Sequence, residues 1–185
     1  GLSIKQLKKL ASRTGWRHVT SFHPSPRGIF SYDKMAEFLA EEIGDFDLRD
    51  LSIPLTVVTT EVHDGHTVYL REGSMKTAVC ASCAVPGIVE PIEWDSMLLC
   101  DGGISDNLPV QAVRNMGADY VIGVDLFSTN FTTRYGPLGV GATAVEMMVR
   151  FAGGGIRHAD FLIVPDIADA SFIRFSKGPE YIVEG

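Results

Sequence analysis

Helical spacing of apolar residues dominates the first part of the chain. One such pattern follows a capping-box sequence that begins at Ser3, and a second runs from about Ser31 to a plausible C-cap at Gly44. Both predict amphipathic helices. Residues 16–30, which contain Pro24 and Pro26, are predicted to form a surface loop. The apolar positions of the two helices are Ile4, Leu7, Leu10, Ala11, Met35, Phe38, Leu39 and Ile43.

The pattern then changes to short apolar runs separated by turn residues. The run 54–62 is rich in β-branched residues and is expected to be a strand buried on both faces, as in a parallel sheet. Asp64-Gly65 predicts a tight turn, after which 67–70 returns as a strand. The later predicted elements are helices over 74–84, 109–116 and 142–152, strands over 97–100, 119–125 and 160–164, and a loop over 127–141.

Alternating strands and helices favour α/β architecture with a mainly parallel sheet. The 185 residues suit a single domain spanning 1–185, and 45% hydrophobic residues suffice for a core. The chain begins with Gly rather than Met, and its last residues, 178–185, read as the start of an element. We therefore expect both ends to be cut from a longer protein.

Charge and cysteine content narrow the classes of partner and compartment. A net charge of −7 argues against nucleic acid as a partner, because phosphate binding depends on Lys and Arg. The chain has three cysteines, Cys80, Cys83 and Cys100. A small, odd number of cysteines argues against a disulfide framework and fits a reducing compartment. The expected location is the cytoplasm, with peripheral contact at the inner membrane face as an option. We interpret Cys80 and Cys83 as small buried hydrophobes, since their spacing lacks the context of a redox or zinc site.

The strongest candidate for chemistry is Asp101. It follows the apolar run 97–100 and precedes Gly102, Gly103 and, further along, Asn107. The strand would hold this carboxylate in a fixed position, and the two glycines after it indicate a loop with unusual backbone conformations. This pattern suggests half of an active site.

Several short motifs in fixed order resemble the patatin-like phospholipase family in its bacterial form. The Asp-Gly-Gly with a following Asn-x-Pro is fairly specific, and looser similarity at 28–31 and 54–55 extends the resemblance to nearly the whole chain. The matching pieces are residues 71–74, 78–87, 99–103, 107–110, 117–119 and 121–125.

The resemblance implies a three-layer patatin-like fold, related to the α/β hydrolases, and hydrolysis of lipid esters by a Ser–Asp dyad. Asp101 would be the dyad's acid and base, Gly102 and Gly103 would shape its loop, and Asn107 would brace it. It also implies no cofactor and no metal, with a phospholipid or another fatty ester as substrate. The aromatic residues Trp16, Phe22, Phe30 and Phe46 are core candidates that could instead contact an acyl chain or a membrane surface.

The family's nucleophile motif is missing. None of the serines lies in Gly-x-Ser-x-Gly, and Ser105 is only four residues from Asp101. The triple glycine 153–155 imitates an oxyanion loop, but it follows a predicted helix and comes after Asp101, so we interpret it as a helix end. We expect truncation to have removed roughly two βα units, or about 60 residues, and this chain alone to be inactive.

Two alternatives remain open from the sequence. The first is a catalytically inactive patatin-like module that binds lipid or protein. The second is a metal-dependent hydrolase, which would require convergence of five side chains: Asp101, Asp106, Asp125, His63 and His66.

Overall fold

The computed structural model describes residues 2–126, 136–165 and 178–184. Its helices are α1 (Ile4–Arg13), α2 (Trp16–Val19), α3 (Asp33–Ile43), α4 (Met75–Ser82), α5 (Val110–Asn115), α6 (Pro137–Phe151) and α7 (Gly178–Glu184). Its strands are β1 (Ser21–Ser25), β2 (Gly28–Ser31), β3 (Val57–Glu61), β4 (Thr67–Leu70), β5 (Ile92–Trp94), β6 (Met97–Asp101), β7 (Ile122–Val124) and β8 (Phe161–Ile163). Short 3-10 helices occupy Leu48–Asp50, Gly102–Ile104 and Ala152–Arg157.

The predicted α/β class is confirmed, but the strand directions differ from the expectation of a mainly parallel sheet. Among the described strands, β4, β3, β6 and β5 form an antiparallel sheet in that order, and only β7 and β8 pair in parallel. The short β3–β4 and β5–β6 connections cause this, because a tight turn can join only antiparallel neighbours. All five residues of β3 are buried, because it is an inner strand against which α4 packs.

The core lies where α4 packs against the sheet. Leu99 on β6, with Ala78 and Ala81 on α4, has no exposed surface. The two alanines allow the helix to approach the strands closely, and α3 covers another face of α4. The end of β6 is therefore anchored in the most buried part of the molecule.

The structure of residues 16–30 differs from the surface loop predicted for them. Residues 16–30 are not one irregular loop: they form α2 and the β1–β2 hairpin. The prolines do not prevent this, because Pro24 lies on a strand of a two-stranded sheet, where a missing N–H need not break a ladder. Gly28 lets β2 pass close to the chain at Glu90, where an added Cβ would lie 2.5 Å from a backbone nitrogen.

Other predicted elements agree with the structure within a few residues. The capping box of Ser3 and Gln6 forms at the start of α1, and Gly44 ends α3 with a φ of 88°. Ser74 caps α4, and α5 follows Pro109. Of the predicted loop 127–141, residues 127–135 lie outside the described residues, and α6 already begins at Pro137. No helix in the described ranges has the length and apolar character needed to cross a bilayer.

Candidate functional site

The backbone of Asp101 is held from two sides. Its N–H donates a 3.0 Å hydrogen bond to the carbonyl of Ala84, just after α4. Its carbonyl accepts a 2.9 Å hydrogen bond from the hydroxyl of Thr60 on β3. Because the helix end and the neighbouring strand both contact the same residue, the position of the Asp101 side chain is set by the core and not by the loop alone.

The Asp101 carboxylate is partly buried and receives one donor from its own loop. The N–H of Gly103 donates to Oδ1 over 2.8 Å. Among the described residues, no donor lies within hydrogen-bond distance of Oδ2. Burial raises the pKa of Asp101 above its usual range, because desolvation disfavours the charged form, and the hydrogen bond from Gly103 opposes this only in part. A partly desolvated carboxylate with a free oxygen is a base able to accept a proton.

The two glycines after Asp101 have different requirements. A Cβ on Gly102 would lie 2.2 Å from the carbonyl oxygen of Val58 on β3, so no other residue fits without moving the strand. A Cβ on Gly103 would meet Asp101 Oδ1 at 3.1 Å and Asn107 Oδ1 at 3.3 Å, which is tight but less severe. Gly102 therefore allows the loop to pass against β3, and Gly103 places its N–H against the carboxylate, with the Asn107 side chain close to Gly103.

Hydroxyl groups close the loop behind Asp101. The Thr60 hydroxyl lies 2.9 Å from the hydroxyl of Ser105, and the Ser105 N–H donates to the carbonyl of Gly102. Ser105 thus turns toward β3 and supports the loop.

A second carboxylate, Asp106, ties the loop to other elements. It is 8% exposed and accepts a 2.8 Å hydrogen bond from the hydroxyl of Tyr69 on β4. A Cβ on Gly153 would lie 2.1 Å from Asp106 Oδ1, and one on Gly155 would lie 1.7 Å from the carbonyl oxygen of Leu108. The triple glycine therefore follows α6, as predicted for a helix end, and its glycines permit close packing against the Asp101 loop.

Two thiols and a phenol lie close enough to Asp101 for its charge to influence their pKa values. Burial, followed by the charge of Asp101, raises the pKa of Cys83 to about 11 and that of Cys100 to about 11. The Tyr32 hydroxyl donates to the carbonyl of Cys83 over 3.2 Å, and burial raises the Tyr32 pKa to about 12. The cysteines are unpaired thiols. Cys80 is buried, as predicted from the sequence, whereas Cys83, for which burial was also predicted, is only partly buried; Cys100 is buried as well.

The metal-dependent alternative does not match the described geometry. Within the described ranges, one group of three ligand side chains comes together, namely Glu61, Asp64 and His66 at the β3–β4 turn. Asp101 pairs with Thr59 on β3, and the loop after it runs past Val58, toward the start of β3. The turn with His63 and His66 lies beyond Glu61, at the other end of that strand. The five side chains proposed for that alternative are therefore not brought together.

Some residues of the site were not identified from the sequence. Thr60 could have been found as a hydroxyl inside an apolar strand, since a buried polar side chain needs a partner. Tyr69 carries no local signal, because its contact with Asp106 depends on the packing of β4. From the sequence, Asp125 is a candidate only as a metal ligand, and its ion pair with Arg150 of α6 at 3.4 Å is not revealed by spacing along the chain.

Comparison with known proteins is consistent with this geometry. A family model described as patatin-like phospholipase matches residues 5–114, which include the Asp101 loop. An uncharacterized NTE family protein of Mycobacterium tuberculosis is 36% identical over 102 residues, covering 55% of this chain and 28% of that protein.

Two eukaryotic relatives match with lower identity. A neuropathy target esterase of Drosophila melanogaster is 33% identical over 116 residues, covering 58% of this chain and 8% of that protein. A lysophospholipase of Aspergillus fumigatus is 30% identical over 138 residues, covering 68% of this chain and 8% of that protein. The chain thus spans less than a third of the length of each of these relatives.

Proposed function

The chain belongs to the patatin-like phospholipase family, and from this premise we propose that it is part of a lipid acyl hydrolase with Asp101 as the acid–base residue of a Ser–Asp dyad. The observation that carries this assignment is the Asp101 carboxylate, which is partly buried, oriented by Gly103 and open at Oδ2.

The proposed reaction is hydrolysis of a phospholipid, lysophospholipid or other fatty ester. Asp101 accepts the proton of a serine hydroxyl while the serine oxygen bonds to the ester carbonyl carbon. When the acyl–oxygen bond breaks, the leaving alkoxide takes the proton from Asp101. Water then releases the fatty acid by the same two steps, and its proton returns through Asp101 to the serine.

The serine belongs to a part of the parent protein outside these 185 residues. This follows from the absence of Gly-x-Ser-x-Gly from the printed sequence and from the sharp strand-to-helix turn that this motif needs. We therefore expect the 185-residue chain to hydrolyse no ester by itself, because it supplies the base without a nucleophile. Turnover of p-nitrophenyl esters by the isolated chain would contradict this expectation.

The decisive experiment uses the parent protein with Asp101→Asn. We expect the turnover of p-nitrophenyl esters to fall by about a thousandfold or more, because the amide cannot accept the serine proton. Asp119→Asn is the matched control, since Asp119 is exposed and distant in sequence from the loop. Near-normal turnover in the Asp101 variant would refute the assignment.

The pH profile provides a second readout. Because burial raises the Asp101 pKa, we expect the acid limb of kcat/KM to lie above the usual titration range of a carboxylate and activity to be lost as the pH falls through it. A parent protein that binds lipid but turns over no ester at any pH would instead support the alternative of an inactive binding module.

A further inference from the structure

The charges of the chain are unevenly distributed. Residues 1–32 contain six Lys and Arg and no Asp or Glu, although the whole chain has 16 basic and 23 acidic residues. Residues 1–32 are therefore a basic segment of an otherwise acidic chain, and most of that segment is α1, α2 and the β1–β2 hairpin.

Helix α1 separates its charges from its apolar residues. At 100° per residue, Lys5, Lys8, Lys9 and Arg13 lie on one side of the helix, and the apolar residues lie on the other. In a typical surface helix the apolar side is buried against the core. Here α1 has no buried residue, and Ile4 and Leu7 are 74% and 49% exposed, although α7 lies beside the helix.

The lysines of α1 are not neutralised by the fold. Arg13 pairs with Glu42 on α3, but in the described part of the chain no carboxylate pairs with Lys5, Lys8 or Lys9. Lysines elsewhere can be paired, as Lys76 is with Asp45 at 2.8 Å. The basic side of α1 is therefore available to an external anion.

A large apolar group follows in the same basic segment. Phe22 on β1 is 74% exposed and contacts Phe30 edge-on at a centroid distance of 6.0 Å. Phe30 in turn lies 6.5 Å from the ring of Trp16 at the start of α2. Phe22 therefore packs against other rings of the segment while most of its surface stays exposed.

We propose that α1 is an interfacial helix that binds a lipid surface containing anionic headgroups, with Lys5, Lys8 and Lys9 against the headgroups and Ile4 and Leu7 in the acyl boundary. Charge complementarity identifies the occupant, because an anionic surface repels an acidic chain overall and attracts it where basic residues are concentrated without acidic ones, as in residues 1–32. The exposed apolar side favours a lipid layer over a simple polyanion, since a polyanion offers nothing to cover Ile4 and Leu7.

The test is co-sedimentation of the chain with two kinds of vesicle, one of phosphatidylcholine alone and one in which about a third of the lipid is phosphatidylglycerol. We expect binding to the anionic vesicles and its loss at high salt. The triple variant Lys5→Gln, Lys8→Gln, Lys9→Gln should weaken this binding about a hundredfold, while glutamine keeps the helix propensity.

The matched control removes three positive charges elsewhere. Lys34, Arg71 and Arg157 are exposed, so replacing all three by Gln gives the same net charge as the α1 variant. We expect this control to bind like wild type. Equal loss in both triple variants, or equal binding of wild type to both kinds of vesicle, would overturn the proposal.

Two further measurements separate a lipid surface from other anions. Ile4→Ser with Leu7→Ser should weaken vesicle binding roughly tenfold or more, because it removes the apolar contact with the lipid; no change would refute insertion. An oligonucleotide that binds as tightly as the anionic vesicles would overturn the lipid assignment. Vesicle binding needs no turnover, so its outcome is independent of the role of Asp101.

Discussion

Asp101 and Glu61 lie on neighbouring strands of one sheet, yet their surroundings shift their pKa values in opposite directions. Glu61 accepts hydrogen bonds from the N–H groups of His63, Asp64 and Leu98 at 2.6, 3.1 and 3.3 Å. Its Oε1 also lies 2.7 Å from His63 Nδ1, and chiefly this contact holds the Glu61 pKa at about 2.

Asp101 has one such donor, and burial raises its pKa. The difference shows two uses of a carboxylate in one sheet. Glu61 closes the β3–β4 turn and is saturated by donors, so its charge serves the fold. Asp101 keeps an oxygen open in a partly desolvated place at a cost to stability, as the acid–base role that we propose for it would require.

The largest effect on stability is expected from Gly102→Ala, which tests whether the Asp101 end of the sheet is sterically determined. The added Cβ would lie 2.2 Å from the backbone of Val58, so we expect the free energy of unfolding in urea to fall by about 3 kcal/mol or more. Gly15→Ala is the control, because its Cβ would have ordinary contacts, and it should cost less than about 1 kcal/mol. Similar losses in both variants would show that Gly102 is not sterically special.

Glu61→Gln tests the structural member of the pair. A glutamine has one acceptor oxygen and no charge for the donors around it, so we expect a lower urea midpoint at neutral pH. Because the folded pKa is depressed to about 2, the stabilisation by Glu61 is present above its usual pKa and is lost as the pH falls toward 2. The gap between variant and wild type should therefore close in acid, and exposed Glu37→Gln should show no such gap.

Asp101→Asn tests the other member and should act in the opposite direction. A raised carboxyl pKa means that ionisation opposes folding, so the neutral amide should increase stability at neutral pH. The gain should disappear as the pH falls below the unfolded pKa, where wild-type Asp101 is protonated in both states. Urea unfolding at neutral and acidic pH measures this, and a variant less stable than wild type at neutral pH would break the comparison.

The smallest effect is expected from Tyr69→Phe. This variant tests whether Asp106, like Glu61, stabilises the fold through the hydrogen bond that it accepts. Removing the hydroxyl leaves the buried Asp106 without the 2.8 Å hydrogen bond from β4, and we expect a loss of about 1–3 kcal/mol. Tyr120→Phe, at a residue that is 62% exposed, should change stability by no more than about 0.5 kcal/mol. Equal effects would mean that Asp106 does not need Tyr69.

Local sequence patterns predicted the helix ends well, because few residue types can satisfy the backbone groups there. The capping box at Ser3, the cap at Ser74 and Gly44 at positive φ are all present, because a helix end needs those groups wherever it lies. The prediction of a mainly parallel sheet was wrong because strand direction is not a property of one residue or one local pattern. An apolar, β-branched run shows that a strand is buried, but its partner's direction depends on the connections and on how α4 packs.

The candidate site divides in the same way. The sequence by itself determined a carboxylate at the end of β6, the glycines that let its loop turn and the missing serine motif, because these are properties of residue type and order. Only the tertiary structure decided that Thr60 and Ala84 hold Asp101, that Gly102 passes against Val58 and that one carboxylate is saturated while another stays open. Hydrogen bonds and desolvation depend on which distant groups come within about 3 Å, and that distance is set by packing.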